Sequence, residues 1–327
     1  MSVNNDAVVV VGAGVSGLTT AVCLTELGRR VRVLAAEPPE ATTSMAPGAL
    51  WGPCFGEPAA KTAAWTETSL RDFQALAGDP ASGVRLAPAL SVGGPPMDGP
   101  LPPQVRLIPE LRPARPAELP DGYASGSRAM MPVIDMPRYL AHLTARLAAA
   151  GTVVERRRVP SLVEAGGGAP VVVNCAGLGA RELAGDDTVV PDFGQHVILE
   201  NPGVDTVFID LSGGREGTVF VPHPDRVVCG SVNLAGRWDT APDPDVTDGI
   251  LRRCRAVEPR LRDAGVLDVL TGLRPSRPAV RVEAETSGGV RVVHNYGHAG
   301  HGVSLSWGCA REAAALAANP AAADSPG

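Results

Sequence analysis

The residues with the clearest chemical use come first in the chain. Gly12-Ala13-Gly14-Val15-Ser16-Gly17 is a G-x-G-x-x-G run placed directly after an apolar, β-branched stretch, Ala7 to Val11. In that setting Gly12 allows a tight turn, Gly14 lets a pyrophosphate reach the backbone, and Gly17 lets a helix pack closely on the strand. The helix that follows would turn unpaired N–H groups and the positive end of its dipole toward the phosphates. Glu37 lies about 20 residues beyond Gly17, where an acidic side chain accepts hydrogen bonds from ribose hydroxyls. A nicotinamide or a flavin dinucleotide would satisfy this pattern equally. His294, His298 and His301 have the spacing of helical metal ligands, but Gly297, Gly300 and Gly302 oppose a helix there, so no metal is expected. No Ser-His-Asp, Cys-His or paired-carboxylate arrangement can be placed in a catalytic role.

The elements that must position these residues follow from periodicity. Ala7 to Val11 fits a fully buried parallel strand. Val15, Leu18, Val22 and Leu27 recur at helical spacing, with Gly28 as a left-handed cap, and Val31 to Leu34 is the next strand. Pro137 to Ala150 is predicted helical, and Val171 to Cys175 is another buried strand ending in Ala176-Gly177-Leu178-Gly179. Prolines are so frequent over Gly93 to Met136 that regular helix is excluded over much of it, and a wandering loop is expected. Asp205 to Val232 alternates like an antiparallel hairpin. A last strand near Val290 to Val293 leads through the glycine-rich segment into a helix from about Val303 to Ala318.

Composition narrows the partners. The chain has 327 residues and a net charge of −6, which argues against nucleic acid and anionic membranes, both of which need clustered Lys and Arg, and for a small molecule. No apolar run is long enough to span a bilayer and the first residues do not resemble a signal, so a cytoplasmic protein is expected. The six cysteines are scattered without paired spacing and read as small buried hydrophobes.

Four further segments resemble the D-amino-acid oxidase family of FAD enzymes, which also contains D-aspartate oxidases and is related to glycine and sarcosine oxidases. They are Thr42 to Trp51; Val172 to Gly177 followed by Gly194-Gln195; Thr271-Gly272-Leu273-Arg274-Pro275-Ser276-Arg277-Pro278; and Val293 to Gly302 followed by Ser306-Trp307-Gly308-Cys309-Ala310. They fall in family order over nearly the whole chain, which is similar to a divergent bacterial-type member.

The resemblance implies an α/β protein of two domains, a Rossmann-like FAD-binding domain interleaved with an antiparallel β-sheet substrate domain. Residues 1–50, 137–190 and 284–318 would form the first, 51–136 and 191–283 the second, and 319–327 a frayed tail. It implies FAD as cofactor, with Thr42, Thr43, Ser44, Gly48 and Leu50 wrapping the pyrophosphate and pyrimidine edge. Val159, Ala176 and Gly177 would stand on the adenosine side, together with Gly194-Gln195. Ala299, Gly302, Val303 and Ser304 would meet the pyrimidine oxygens. Arg274 would hold a substrate carboxylate through a bidentate, charge-assisted pair, and the Gly300 carbonyl would accept from the amine. Arg277 stands an odd number of residues away in an extended stretch and should face the other side.

The implied activity is oxidation of a D-amino acid by hydride transfer to flavin, with O₂ as acceptor, giving 2-oxo acid, ammonia and hydrogen peroxide. Alternatives are a specialised oxidase of glycine-like, D-aspartate-like or secondary-metabolite amino acids, and a flavin-binding protein without turnover. A monomer or homodimer is expected. Two departures stand out: Val219 occupies the hairpin position where the family usually has a tyrosine, and Phe193 one where it often has an arginine. Weak activity on D-alanine and a pocket for a different or bulkier amine are therefore expected, with Asn233 and Arg215 as side-chain contacts.

Overall fold

In the computed structural model, which describes residues 7–95, 97–213 and 216–319, the strand Ala7–Val11 pairs in parallel with Arg30–Ala35 on one side and Val171–Asn174 on the other. Its apolar run is uninterrupted because both faces are covered. Val8 and Val10 join one core cluster with Leu18 and Val22 of the helix Val15–Glu26, while Val9 and Val11 join a second with Leu162 and Val172. A strand alternates its side chains between faces, so a sheet sandwiched by helices needs apolar residues at every position.

Val154–Arg156 extends this parallel layer beyond Arg30–Ala35, and Val290–His298 extends it beyond Val171–Asn174. The sheet then turns antiparallel. Val266–Ser287 pairs with both Val290–His298 and Val190–Glu200, and so carries the sheet from the parallel layer into a second region. There Arg226–Val232, Glu216–Pro222, Val207–Asp210, Val84–Val92, Gly126–Ile134 and Ala49–Leu50 follow in order. The fold is a mixed α/β one with a large, mostly antiparallel sheet.

Several expectations hold here. The helix Met136–Ala149, the strand Val171–Asn174 and the final helix Gly302–Ala318 lie where periodicity puts them. Gly28 closes the first helix at φ 74°.

Others are corrected. The proline-rich stretch is not one loop: it holds a one-turn helix, Pro103–Arg106, and a nine-residue strand, Gly126–Ile134. Nine of the ten prolines between 93 and 136 precede Asp121, and the tenth, Pro132, sits inside the strand, which still pairs along the whole of Val84–Val92 while the Pro132 carbonyl accepts from Trp51 N at 2.9 Å. The last strand does not stop at Val293 but runs to His298, because its antiparallel partner supports it through a register shift between Ser276 and Arg281. The helix Ala59–Leu76 has no counterpart among the expectations. All six cysteines are buried and free. Among the described residues no helix is long and apolar enough to cross a membrane. The proposed tail lies outside the described residues except for Asn319.

The helices Ala59–Leu76 and Gly302–Ala318 touch closely at Gly308, where a Cβ would overlap the Trp65 backbone and the Gly308 N–H donates to Ser69 Oγ at 3.0 Å. Gly308→Val should therefore destabilise the protein by about 1–3 kcal/mol through overpacking. A urea midpoint equal to that of the parent would show that the helices part without cost.

Candidate active site

The first helix meets its strand through glycines. Gly12 has φ 112°, a region that L side chains avoid, and a Cβ at Gly17 would overlap the Gly12 carbonyl. The helix can thus begin directly at the strand's end. Its N-terminus has no side-chain cap of its own; Ser44 Oγ, from the neighbouring loop, accepts from Val15 N at 2.9 Å. A Cβ at Gly14 would come within 3.1 Å of that same oxygen. The loop is pinned from behind as well, since Gly272 leaves room for Thr43 and Ala46.

A second helix N-terminus opens nearby. Gly302–Ala318 also lacks a side-chain cap, and Ser304 Oγ accepts from Gly52 N at 3.1 Å, tying the helix to the chain just after Leu50. The turn before it puts Ala299 at φ 48°, an uncommon conformation for a residue with a side chain. Both N-termini border one cavity of about 930 Å³.

Nearly all of the expected residues line it. Gly12, Ala13, Gly14, Val15, Ser16, Glu37, Thr42, Thr43, Ser44, Gly48, Leu50, Val159, Ala176, Gly177, Val219, Arg274, Ala299, Gly300, Gly302, Val303 and Ser304 share this wall. Gly17 does not; its place is the helix–strand contact. Asn233 is exposed and outside the lining, because the strand Arg226–Val232 has ended before it. Arg215 lies outside the described residues. Gly194-Gln195 does not stand on the adenosine side: Gly194 lies against Arg274, and Gln195, pointing to the other face, bonds Asp243 and Thr247 at the start of the helix Pro244–Val257. Glu37 reaches Arg156 at 3.1 Å on the exposed rim.

Arg274 is held from one side. Its Nη1 donates to the Val232 and Phe193 carbonyls at 3.1 and 3.2 Å and stands 3.7 Å from Asp192 Oδ2. Among the described residues no other nitrogen of this guanidinium has a partner. A Cβ at Gly194 would overlap the guanidinium, and one at Gly300 would lie 3.5 Å from Cδ, so two glycines make its berth. Burial pulls its pKa below the ordinary value, partly offset by Asp192, whose own carboxyl burial pushes up. A desolvated cation with a free edge attracts an anion strongly. Arg277 faces elsewhere and pairs with Asp186 at 2.8 Å, as the odd spacing requires. Phe220 is buried in the core while Val219 lines the cavity, again by strand alternation.

The three histidines, two on the last strand and His301 in the turn after it, separate. His294 Nδ1 lies 3.4 Å from Asn174, His298 Nε2 lies 3.1 Å from Asn295 Oδ1, and His301 is exposed. Among the described residues no cluster is arranged to hold a metal ion. The cavity wall also includes His196, Ser231 and Asn295, which sequence reasoning did not single out, and His298, which it weighed only as a metal ligand. His196 directly follows Gly194-Gln195, and Asn295 and His298 lie inside a quoted segment, so a signal existed for three; Ser231 had none. Burial lowers the His298 pKa to about 4, with His301 adding to it, so the ring is neutral near neutral pH.

Comparison with known proteins gives a consistent result. A family model described as FAD dependent oxidoreductase matches residues 7–316. A D-amino-acid oxidase of Rubrobacter xylanophilus is 48% identical over 311 residues, covering 94% of this chain and 95% of that one. One of Streptomyces coelicolor is 49% identical over 317 residues, covering 95% and 96%. Among solved structures, a glycine oxidase from Geobacillus kaustophilus shares the fold with a TM-score of 0.79 at 18% identity, over 95% of this chain and 94% of that chain.

Gly14→Val should crowd Ser44 and the first helix N-terminus, giving a folded protein that purifies without flavin. The visible absorbance band of oxidised flavin, read together with far-UV circular dichroism, checks this; a fully yellow variant would refute it.

Proposed function

Because the chain belongs to the DAO family of FAD-dependent oxidoreductases, we infer that it is an oxidase of D-amino acids, taking an amino-acid substrate and O₂ and releasing 2-oxo acid, ammonia and hydrogen peroxide. The observation that carries this reading is Arg274: a buried guanidinium, anchored to backbone carbonyls through Nη1 alone, on the wall of the dinucleotide cavity. The two relatives named D-amino-acid oxidase, each near half identical over almost the full length, support the same reading.

The residues fit FAD. Two helix N-termini without side-chain caps of their own border the cavity, and the close contacts at Gly12 and Gly17 let the first helix begin directly at the end of its strand, beside that cavity. Gly12 to Ser16 would take the phosphates, Glu37 the ribose, and Ala299 to Ser304 the pyrimidine edge of the ring. When bound, FAD supplies the hydride acceptor and passes the electrons to O₂.

The protein's part is orientation. Arg274 holds the carboxylate with its free edge, and the Gly300 carbonyl accepts from the neutral amine. With both groups fixed, Cα–H can point toward the cofactor in only one enantiomer. Asp192, 3.7 Å from Nη1, only partly offsets the charge of Arg274. The Cα hydrogen would leave as hydride, so no side-chain base is required at that carbon. The chain is read as cytoplasmic and as a monomer or homodimer, with residues 1–50, 137–190 and 284–318 as the cofactor domain.

Peroxide release with D-alanine, D-methionine, D-aspartate and glycine, against the L-enantiomers, tests the activity; no peroxide from any of them would refute it. Arg274→Ala should raise KM about 10²-fold or more while the flavin spectrum stays normal, the loss of about 2–5 kcal/mol for one partner of a buried charge pair. Unchanged steady-state kinetics would remove Arg274 from the carboxylate site.

A further inference from the structure

One polar side chain on the cavity wall has no part in these roles. His196 lies on the strand Val190–Glu200 two residues beyond Gly194, and it shares the cavity with Arg274, Val219 and Ser231. Residues two apart on a strand share a face and stand about 6.5–7 Å apart. Since the Arg274 guanidinium lies over Gly194, guanidinium and imidazole are neighbours along that face. Across the sheet Val219 pairs with Gly230, and the imidazole fills the space above Gly230, where a Cβ would overlap Cδ2 and lie 2.9 Å from Nε2. The ring thus reaches toward Val219, which offers no donor.

Its protonation follows from its surroundings. Burial, reinforced by the Arg274 charge, lowers the His196 pKa to about 4, so the ring is neutral near neutral pH. Nδ1 is enclosed by protein and has no hydrogen-bond partner. An enclosed N–H without an acceptor is rarer than an unused acceptor lone pair, which puts the single ring proton on Nε2, the polar edge left to the cavity. A carboxylate has about four acceptor positions, of which a bidentate guanidinium takes two.

We infer that His196 is a second substrate-contacting residue of the carboxylate subsite, its Nε2–H donating to the carboxylate alongside Arg274 in place of the hydroxyl that Val219 lacks. The inference rests on the amino-acid oxidase reading and names a further determinant of the same site. It also gives the site a way to hold small D-amino acids without a hairpin tyrosine.

The test uses the FAD-loaded enzyme and two readouts: KM for a D-amino acid, and the Kd of propionate, a carboxylate with no amine, from its shift of the flavin absorbance. His196→Phe keeps a ring but no donor, and should raise both about 10- to 100-fold, the loss of one hydrogen bond to a charged group, with a much smaller change in kcat. His196→Gln, whose amide can reach the Nε2 position, should recover most of the affinity, whereas His196→Asn is too short and should not. Equal propionate affinity in parent, Phe and Asn variants, with the parent still oxidising D-amino acids, would overturn the inference and leave the oxidase reading intact. A parent that binds propionate through His196 but releases no peroxide would do the reverse. Should the Phe variant lose flavin, the Gln and Asn pair decides alone: equal affinity overturns the inference.

Discussion

The contact between Gly17 and the Gly12 carbonyl governs how close the first helix can come to its strand. With any side chain at Gly17 the helix would have to move outward, and its N-terminal N–H groups would no longer border the cavity. Those groups are where a helix carries its partial positive charge. Everything at the cofactor end depends on that distance: the Ser44 hydroxyl that meets Val15, the loop that Gly272 admits, and the strand Val171–Asn174 that packs beneath through Cys175.

The same helix is tied to the other end of the site by a buried polar chain. His298 bonds Asn295, Asn295 Nδ2 donates to Thr20 Oγ1 at 2.9 Å, and Thr20 Oγ1 donates to the Ser16 carbonyl at 2.6 Å. Asn295 and Thr20 are fully buried, and their polar groups are satisfied by one another. Such a network is expensive to leave half-made, so it fixes the last strand against the first helix with more precision than apolar contacts alone. The two helix N-termini consequently face one cavity in a set relation.

The substrate end works by a different principle. Arg274 is desolvated and only loosely offset by Asp192, so its attraction for an anion is strong and its position is held by backbone groups that do not compete for its free edge. Glycines at 194 and 300 provide the space. Binding energy for a carboxylate is therefore present before any substrate arrives, and it can be directed to aligning Cα–H instead of assembling the site.

What the amino-acid sequence determined by itself is the local part: the strand and helix around Gly12 to Gly17, the helices at 136–149 and 302–318, and the split of Arg274 from Arg277. Each depends on periodicity or backbone sterics within a short stretch. The tertiary structure decided the rest. Gly126–Ile134 and the extension of the last strand to His298 exist because partner strands from distant segments pair with them, and proline count or hydropathy carries no record of a partner. Gln195 points away from the cavity while Gly194 and His196 face it, which follows from a pleat whose phase only the neighbouring strands fix. His196 becomes a neutral donor beside Arg274 because Gly230, on another strand, leaves it room, and no spacing along the chain contains that contact.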